Sequence, residues 1–385
     1  MKLELPRQTE RLGSIKINDL QRVLLLDSAE DGDGGQTGVS AVPREKIHEI
    51  ERNMAIVIPV KDEKIQVLEG VIGAIPSECL VIVVSNSGRE PVDMFRTEQE
   101  MVEQHVHFTK REVWIVHQSD PGIGKALKNT HYKEILNDEG SVRDGKGEGM
   151  VIGMMLAKAA GKEYVAFVDA DNYFPGAVHE YVSVYAAAFH LSRSPYAMVR
   201  ISWASKPKIQ DGSLYFSKWG RISAVNNMYL NKLISSHTGF DTEIVKTANS
   251  GDHAMTMKLA EMLDYRQAFG IETYEIVDIL EKFGGILKPT HTKPMEEGVE
   301  IFQMETLDPH FHEDKGEKHL GQMLADSLLS IMGSPLCTEA LGKEVEAELP
   351  KEFEKREKII GSFMRVDTEA FLQRIIKNGS ILMFG

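Results

Sequence analysis

The sequence predicts an α/β protein built on a doubly wound sheet. Three observations carry this: short, wholly apolar runs, helix-periodic stretches between them, and polar residues directly after each run. The first two runs, 55–60 (AIVIPV) and 80–84 (LVIVV), are too short for helices and apolar throughout, as parallel strands buried on both faces are. Between them Ile65, Leu68, Ile72 and Ile75 recur at spacings of three and four, which places them on one helical face. A polar helix around 97–107, a strand at 113–117, an apolar helix at 150–160 and a strand at 164–168 (YVAFV) continue the alternation. Ligands of such sheets sit beyond the C-terminal ends of the strands, so the informative residues are those that follow each run.

Elsewhere the pattern predicts a strand at 14–17, an apolar stretch at 23–26 and a flexible linker at 31–39 with four glycines. It further predicts a helix at 178–191, a strand at 198–203, an edge strand at 213–216, and helices at 226–235 and 254–262. Beyond residue 272 the chain becomes more helical and charged, with a solvated face at 344–358 and an amphipathic helix at 366–377. With 385 residues, the chain has room for two or three domains, or for one large α/β domain with appendages.

The 44 Lys and Arg against 58 Asp and Glu give a net charge of −14. Such a field repels phosphate backbones and anionic lipid, so neither nucleic acid nor a membrane surface is an expected partner, and a small anion needs a locally basic pocket. Cys79 and Cys337 are too far apart in sequence for a metal-ligand spacing or a disulfide framework. The N-terminus lacks an apolar signal core, and no stretch reaches the roughly 18 apolar residues of a spanning helix. A soluble cytoplasmic protein is expected.

The four strand exits carry Pro59, Lys61 and Glu63; Ser85, Asn86 and Ser87; Gln118; and Asp169, Ala170 and Asp171. Neither GxGxxG nor GxxxxGK[ST] follows the first strand, so a dinucleotide dehydrogenase or P-loop reading loses its support. The Asp169-Ala170-Asp171 run supplies two carboxylates at a strand end, donors suited to Mg²⁺ or Mn²⁺, although Asp pairs also cap helices. In 308–314 (DPHFHED) an extended chain points His310 and His312 the same way. Three glycines around Lys146 at a helix start suit an anion such as a diphosphate. The segment 247–255, with Asn249, Ser250, Gly251, Asp252 and His253, reads as a second helix start facing the cleft. Arg200, Lys206, Lys208, Lys218 and Arg221 form a local basic run fit for a small anionic co-substrate.

The runs PVKDE, SNS, HQSDPG, GKGEGM, VDADNYFPGAV, ANSGDHAM and QMETLDPHFHED together resemble the mannosyl-3-phosphoglycerate synthases, in unbroken order from about residue 1 to 335. The resemblance implies a retaining GT-A glycosyltransferase: a doubly wound mixed sheet with a nucleotide-binding half, an acceptor half and a helical C-terminal region. It implies an N-terminal segment at 1–50, a catalytic domain at 51–285 (donor part 51–175, acceptor part 176–285), and a C-terminal region at 286–385. That last region would complete the metal site and leaves a homodimer open. Mannose would pass from GDP-mannose to the 2-hydroxyl of 3-phosphoglycerate, in compatible-solute synthesis, with Mg²⁺ first among divalent cations and Mn²⁺, Co²⁺ or Zn²⁺ as alternatives.

By the same resemblance Pro59, Lys61, Glu63, Ser85, Asn86 and Ser87 would hold guanosine, and Gln118 and Lys146 the nucleotide and its diphosphate. Asp169 and Ala170 would line the nucleotide sugar, and Asp171 with His310 would ligate the metal, with Asp169 beside it and His312 as the alternative imidazole. Arg200, Asn249, Ser250, Gly251 and His253 would face mannose and acceptor, and Asp171, Lys146, Asp252 and Arg200 would carry the chemistry. The family usually has Glu where this chain has Asp252, and Ser where it has Asp144. A glucosyl-3-phosphoglycerate synthase, a sugar-phosphate nucleotidyltransferase and an inactive binding module of the same fold remain the alternatives.

Overall fold

The computed structural model describes residues 1–23, 39–203, 206–210, 213–217, 220–312 and 315–385. Most of the expected linker, residues 24–26 of the apolar stretch, and Lys218 and Trp219 of the basic run lie outside the described residues.

Four parallel strands form the half of the sheet that the sequence announces. They lie side by side in the order Val113–His117, Leu80–Ser85, Met54–Val60, Tyr164–Phe167. The chain winds outward from Met54–Val60 in one direction and then returns to its other side with Tyr164–Phe167, which puts a switch point, and so a ligand crevice, at the end of Met54–Val60. Both faces of this strand are buried: Ala55 and Val57 pack in one apolar cluster with the Lys146–Ala159 helix, Ile56 and Ile58 in another with the Pro175–Leu191 helix. Helix and strand approach so closely that a Cβ on Gly153 would overlap the Val57 side chain.

The second half is mixed. His253–Thr256 runs antiparallel between Tyr164–Phe167 and Ala197–Ser202, and Val299–Glu305 runs parallel between Ala197–Ser202 and Ile15–Val23. Among the described residues the sheet has twelve strands, drawn from the N-terminal segment, the 51–285 stretch and the C-terminal region alike. Two expectations fail here. The helix expected at 254–262 is the strand His253–Thr256 followed by one turn, Met257–Ala260; a short apolar run fits either period, and burial inside the sheet decides for the strand. Val299–Glu305 is a strand in a region expected to be helical, disguised by Glu300 and Gln303, which are buried with hydrogen-bonded side chains. Residues 213–216 do form a strand, Ser213–Ser217, which pairs with Lys206–Gln210 in a separate ribbon.

The Gly270–Phe283 helix behind the mixed half carries four buried acids, Glu272, Glu275, Asp278 and, half-buried, Glu281. Burial pushes the Asp278 carboxyl up to about 7, against the opposing charge of Lys282 at 2.8 Å. A folded pKa above the ordinary value of about 3.9 means that the folded chain holds a proton that the unfolded chain has lost, so stability declines as pH rises from about 4 through 7. Asp278→Asn keeps the acceptor for the Asp264 amide and is expected to flatten the fall in melting temperature between pH 5.5 and 8. An equally steep fall in the variant would contradict this assignment.

Candidate active site

Asp169 and Asp171 follow Tyr164–Phe167 at the switch point, and the chain brings the second half of the sheet to them. The Asp252 carboxylate, just ahead of the antiparallel strand, accepts the Asp169 amide at 3.1 Å through Oδ1. Its Oδ2 is buried, accepts no hydrogen bond, and lies 3.5 Å from His310 Nδ1. Ligand atoms of Asp169, Asp252 and His310 all fall within 4.8 Å of one another. Two carboxylates and an imidazole around an unsatisfied carboxylate oxygen are a donor set that fits a divalent cation.

The two acids are driven apart electrically. Burial, reinforced by the charge of Asp169, pushes the Asp252 carboxyl far above the carboxylate range. Burial acts on Asp169 as well, but Lys146 outweighs it and holds that carboxyl below the range. Lys146 Nζ lies 2.6 Å from Asp169 and 2.6 Å from Glu272, so this ammonium is clamped between two acids. Gly251 is needed beside them, since a Cβ there would overlap the Asp169 carboxylate.

His310 is held from both sides. Its ring stacks on Trp203 at 4.6 Å and lies 5.1 Å from the ring of His312, while Phe311 turns the other way, against Tyr173 and Phe174. The expected alternation is therefore present. The preceding turn is fixed by buried Glu180, which accepts the amides of Leu307 and Asp308 at 2.8 and 2.9 Å and pairs with Arg22.

A sequence model described as mannosyl-3-phosphoglycerate synthase matches residues 5–375. Over its full length the chain is 45% identical to the whole of the Pyrococcus furiosus mannosyl-3-phosphoglycerate synthase, and 37% identical, over 91% of this chain and 89% of the relative, to that of Aeropyrum pernix. The chain belongs to the mannosyl-3-phosphoglycerate synthase family. Like its relatives it is an enzyme, a glycosyltransferase. Solved structures similar to it include the Mycobacterium tuberculosis glucosyl-3-phosphoglycerate synthase in complex with Mn²⁺, UDP and glucosyl-3-phosphoglycerate, at 17% identity and a TM-score of 0.48 over 77% of this chain and 87% of that one.

Several residues matched to this family do other work than expected. Arg200, expected to face the acceptor, opens onto no solvent. It is fully buried, with Nη1 3.1 Å from Glu275, Nε 2.9 Å from the Thr247 carbonyl and Nη2 2.8 Å from the Glu272 carbonyl. His253 is buried beside it, with Nε2 3.0 Å from Glu275 and Nδ1 facing the carbonyls of Ser250 and Gly251, so no ring nitrogen is left for a substrate. Ser250 is also buried and donates to backbone carbonyls. The segment expected to open a helix at 247–255 is a turn into a strand, and no row of free helix amides faces the cleft there. Asn249 is half-buried, and its Oδ1 accepts no hydrogen bond.

In the donor half, Gln118, expected along the nucleotide, is buried and donates to the carbonyls of Arg143 and Gly145, holding the turn before Lys146. The Gly147 amide donates to the Ala268 carbonyl at 3.0 Å, so the helix start is a poorer cradle than expected. Ser85 and Ser87 are buried: Ser87 Oγ donates to Glu98 at 2.5 Å and accepts the Asp62 amide, which shapes the loop rather than meeting a base directly. Ala170 is buried too, and Pro59 half-buried. Lys61 and Asn86 are more open and converge on Asp144, at 2.9 and 2.5 Å, so the unusual acid at 144 has its own counter-charge. Asp171 pairs with Lys315 at 2.9 Å, and Lys315 also reaches Glu63 at 2.5 Å.

Glu272, Lys315, Glu98 and Glu180 are absent from the sequence-derived site. Lys315 had a signal, three residues beyond His312; the other three are single acids in helices, and their spacing alone gives no clue. A further grouping, His48, Glu51 and Glu78, lies away from this rim. There Arg44 donates to His48 Nε2, and Nδ1 lies 3.1 and 3.2 Å from the carboxylates of Glu51 and Glu78. Among the described residues no helix is long and apolar enough to cross a membrane.

Proposed function

We propose that the enzyme transfers mannose from GDP-mannose to the 2-hydroxyl of 3-phosphoglycerate with retention of configuration. Family membership supports the product class; the convergence of Asp169, Asp252 and His310 at the switch point is the observation that supports a metal-dependent nucleotide-sugar site. These three residues, with Asp171 beside them, would hold a divalent cation, Mg²⁺ or Mn²⁺ by donor chemistry. Such a cation supplies charge stabilisation to the departing diphosphate.

The chain's own residues do the rest. Lys146 keeps Asp169 ionised and fixed, so the site is organised before substrate enters. Trp203 and Glu180 hold His310 in place. Lys61 and Asn86, more open than the buried Ser85, Ser87 and Gln118, would face the nucleoside, and Asn249 would offer a polar group to the sugar or acceptor. Retention would follow by same-face attack of the acceptor hydroxyl: Asp169 and Glu272 are paired with Lys146, and Asp252 and Asp171 would serve the cation, so none of these four is offered as a nucleophile. The leaving phosphate then takes the proton.

A donor panel tests this reading. GDP release that requires both GDP-mannose and 3-phosphoglycerate is expected. GDP release with GDP-glucose at an equal rate would broaden the assignment to a hexosyl donor, and pyrophosphate formation from a nucleoside triphosphate would refute it.

A further inference from the structure

Lys315 spans the crevice. Its ammonium joins Glu63, which follows the Met54–Val60 strand, to Asp171, which follows Tyr164–Phe167, so it crosses the switch point where the donor is placed. Among the described residues the four acids Glu63, Asp169, Asp171 and Glu272 meet the two ammonium groups of Lys146 and Lys315 within ion-pair distance, a surplus of negative charge at a site read as binding an anion. The two lysines differ in freedom. Lys146 starts a helix and is pinned at 2.6 Å on both sides with 17% of its side chain exposed, whereas Lys315 precedes the Glu317–Met332 helix with 35% exposed.

We propose that Lys315 is a donor-binding residue that changes partners: it competes with the divalent cation for Asp171 and, once displaced, binds the diphosphate of the nucleotide sugar. This rests on the nucleotide-sugar reading above. An ammonium and a divalent cation both seek carboxylate oxygen, and their mutual repulsion prevents them from sharing Asp171 Oδ2 at close range. A lysine on a four-carbon stem can follow the charge to a phosphate a few ångströms away, because it acts as a point charge without a fixed hydrogen-bond geometry.

Calorimetric titration of the metal-stripped full-length protein tests the exchange, with Mn²⁺ alone and then with GDP at saturating Mn²⁺. In Lys315→Met the two affinities are expected to move in opposite directions. Mn²⁺ should bind about tenfold more tightly, because its competitor is gone, and GDP about tenfold more weakly, because a charged partner is lost. Lys315→Arg should restore GDP binding. Loss of both affinities would show a merely structural lysine, and tighter Mn²⁺ with unchanged GDP a mere counter-charge; either overturns the proposal. Failure of the wild-type protein to bind GDP at any Mn²⁺ concentration would instead overturn the nucleotide-sugar reading beneath it.

Discussion

Replacing Arg200 with methionine is expected to lower the melting temperature by about 3–10 °C while leaving the acceptor KM of the folded fraction unchanged. The guanidinium lies with no exposure between Glu275 and the carbonyls of Thr247, Ala248 and Glu272. Removing it leaves Glu275 a buried carboxylate with His253 Nε2, 3.0 Å away, beside it, a loss of about 3–5 kcal/mol, and each kcal/mol costs roughly 1–2 °C in a chain of 385 residues. The double variant Arg200→Met, Glu275→Gln should recover much of that loss, since replacing both partners of a buried pair by neutral groups is often nearly neutral. Calorimetry of the three proteins measures this directly. A stable Arg200→Met protein with a raised acceptor KM would return Arg200 to the acceptor site.

Asp252→Asn is expected to have opposite effects on stability and on activity. Without a cation the Asp252 carboxyl is buried beside Asp169 and held far above its usual range by burial, so its charged form is a liability that an amide lacks. The variant should melt at the same temperature as the wild type or a few degrees higher in EDTA. It should lose the stabilisation that a divalent cation confers on the wild type, which amounts to about 2.7 kcal/mol at 100 times Kd. Its kcat/KM should fall about 10²–10³-fold, as when one electrostatic contact to a departing charge is removed. Scanning fluorimetry with and without Mn²⁺, beside initial rates, separates the cases. An unchanged metal-induced shift in Asp252→Asn would remove this residue from the metal site.

The parallel half of the fold was legible in the sequence because its strands are apolar on both faces; burial leaves no polar residue to blur the period. The mixed half was not. Val299–Glu305 hides two polar side chains whose hydrogen bonds are satisfied at long range, by Ser192 and the Arg193 amide for Glu300 and by the Lys246 amide for Gln303. Such compensation cannot be read from local sequence. The site divides in the same way. Asp169, Asp171, Lys146 and His310 stand next to recognisable elements and do reach one cleft. Asp252, expected as a catalytic carboxylate, joins Asp169 and His310 because an antiparallel strand lies between two others. Arg200 and His253 have the residue types of an acceptor site, but they belong to a buried ion cluster with Glu275. Residue type predicts chemistry only when the side chain is open to the cleft, and exposure depends on packing from the distant Gly270–Phe283 helix.

The proposed reaction is a retaining, metal-dependent mannosyl transfer at the Asp169, Asp252 and His310 cluster. Proton NMR of one reaction mixture, GDP-mannose with 3-phosphoglycerate, run with Mg²⁺ and again with excess EDTA, tests it most directly. An α-linked mannosyl product carrying the phosphate of the acceptor is expected with Mg²⁺, and none in excess EDTA. A β-linked product, or undiminished turnover in EDTA, would contradict it.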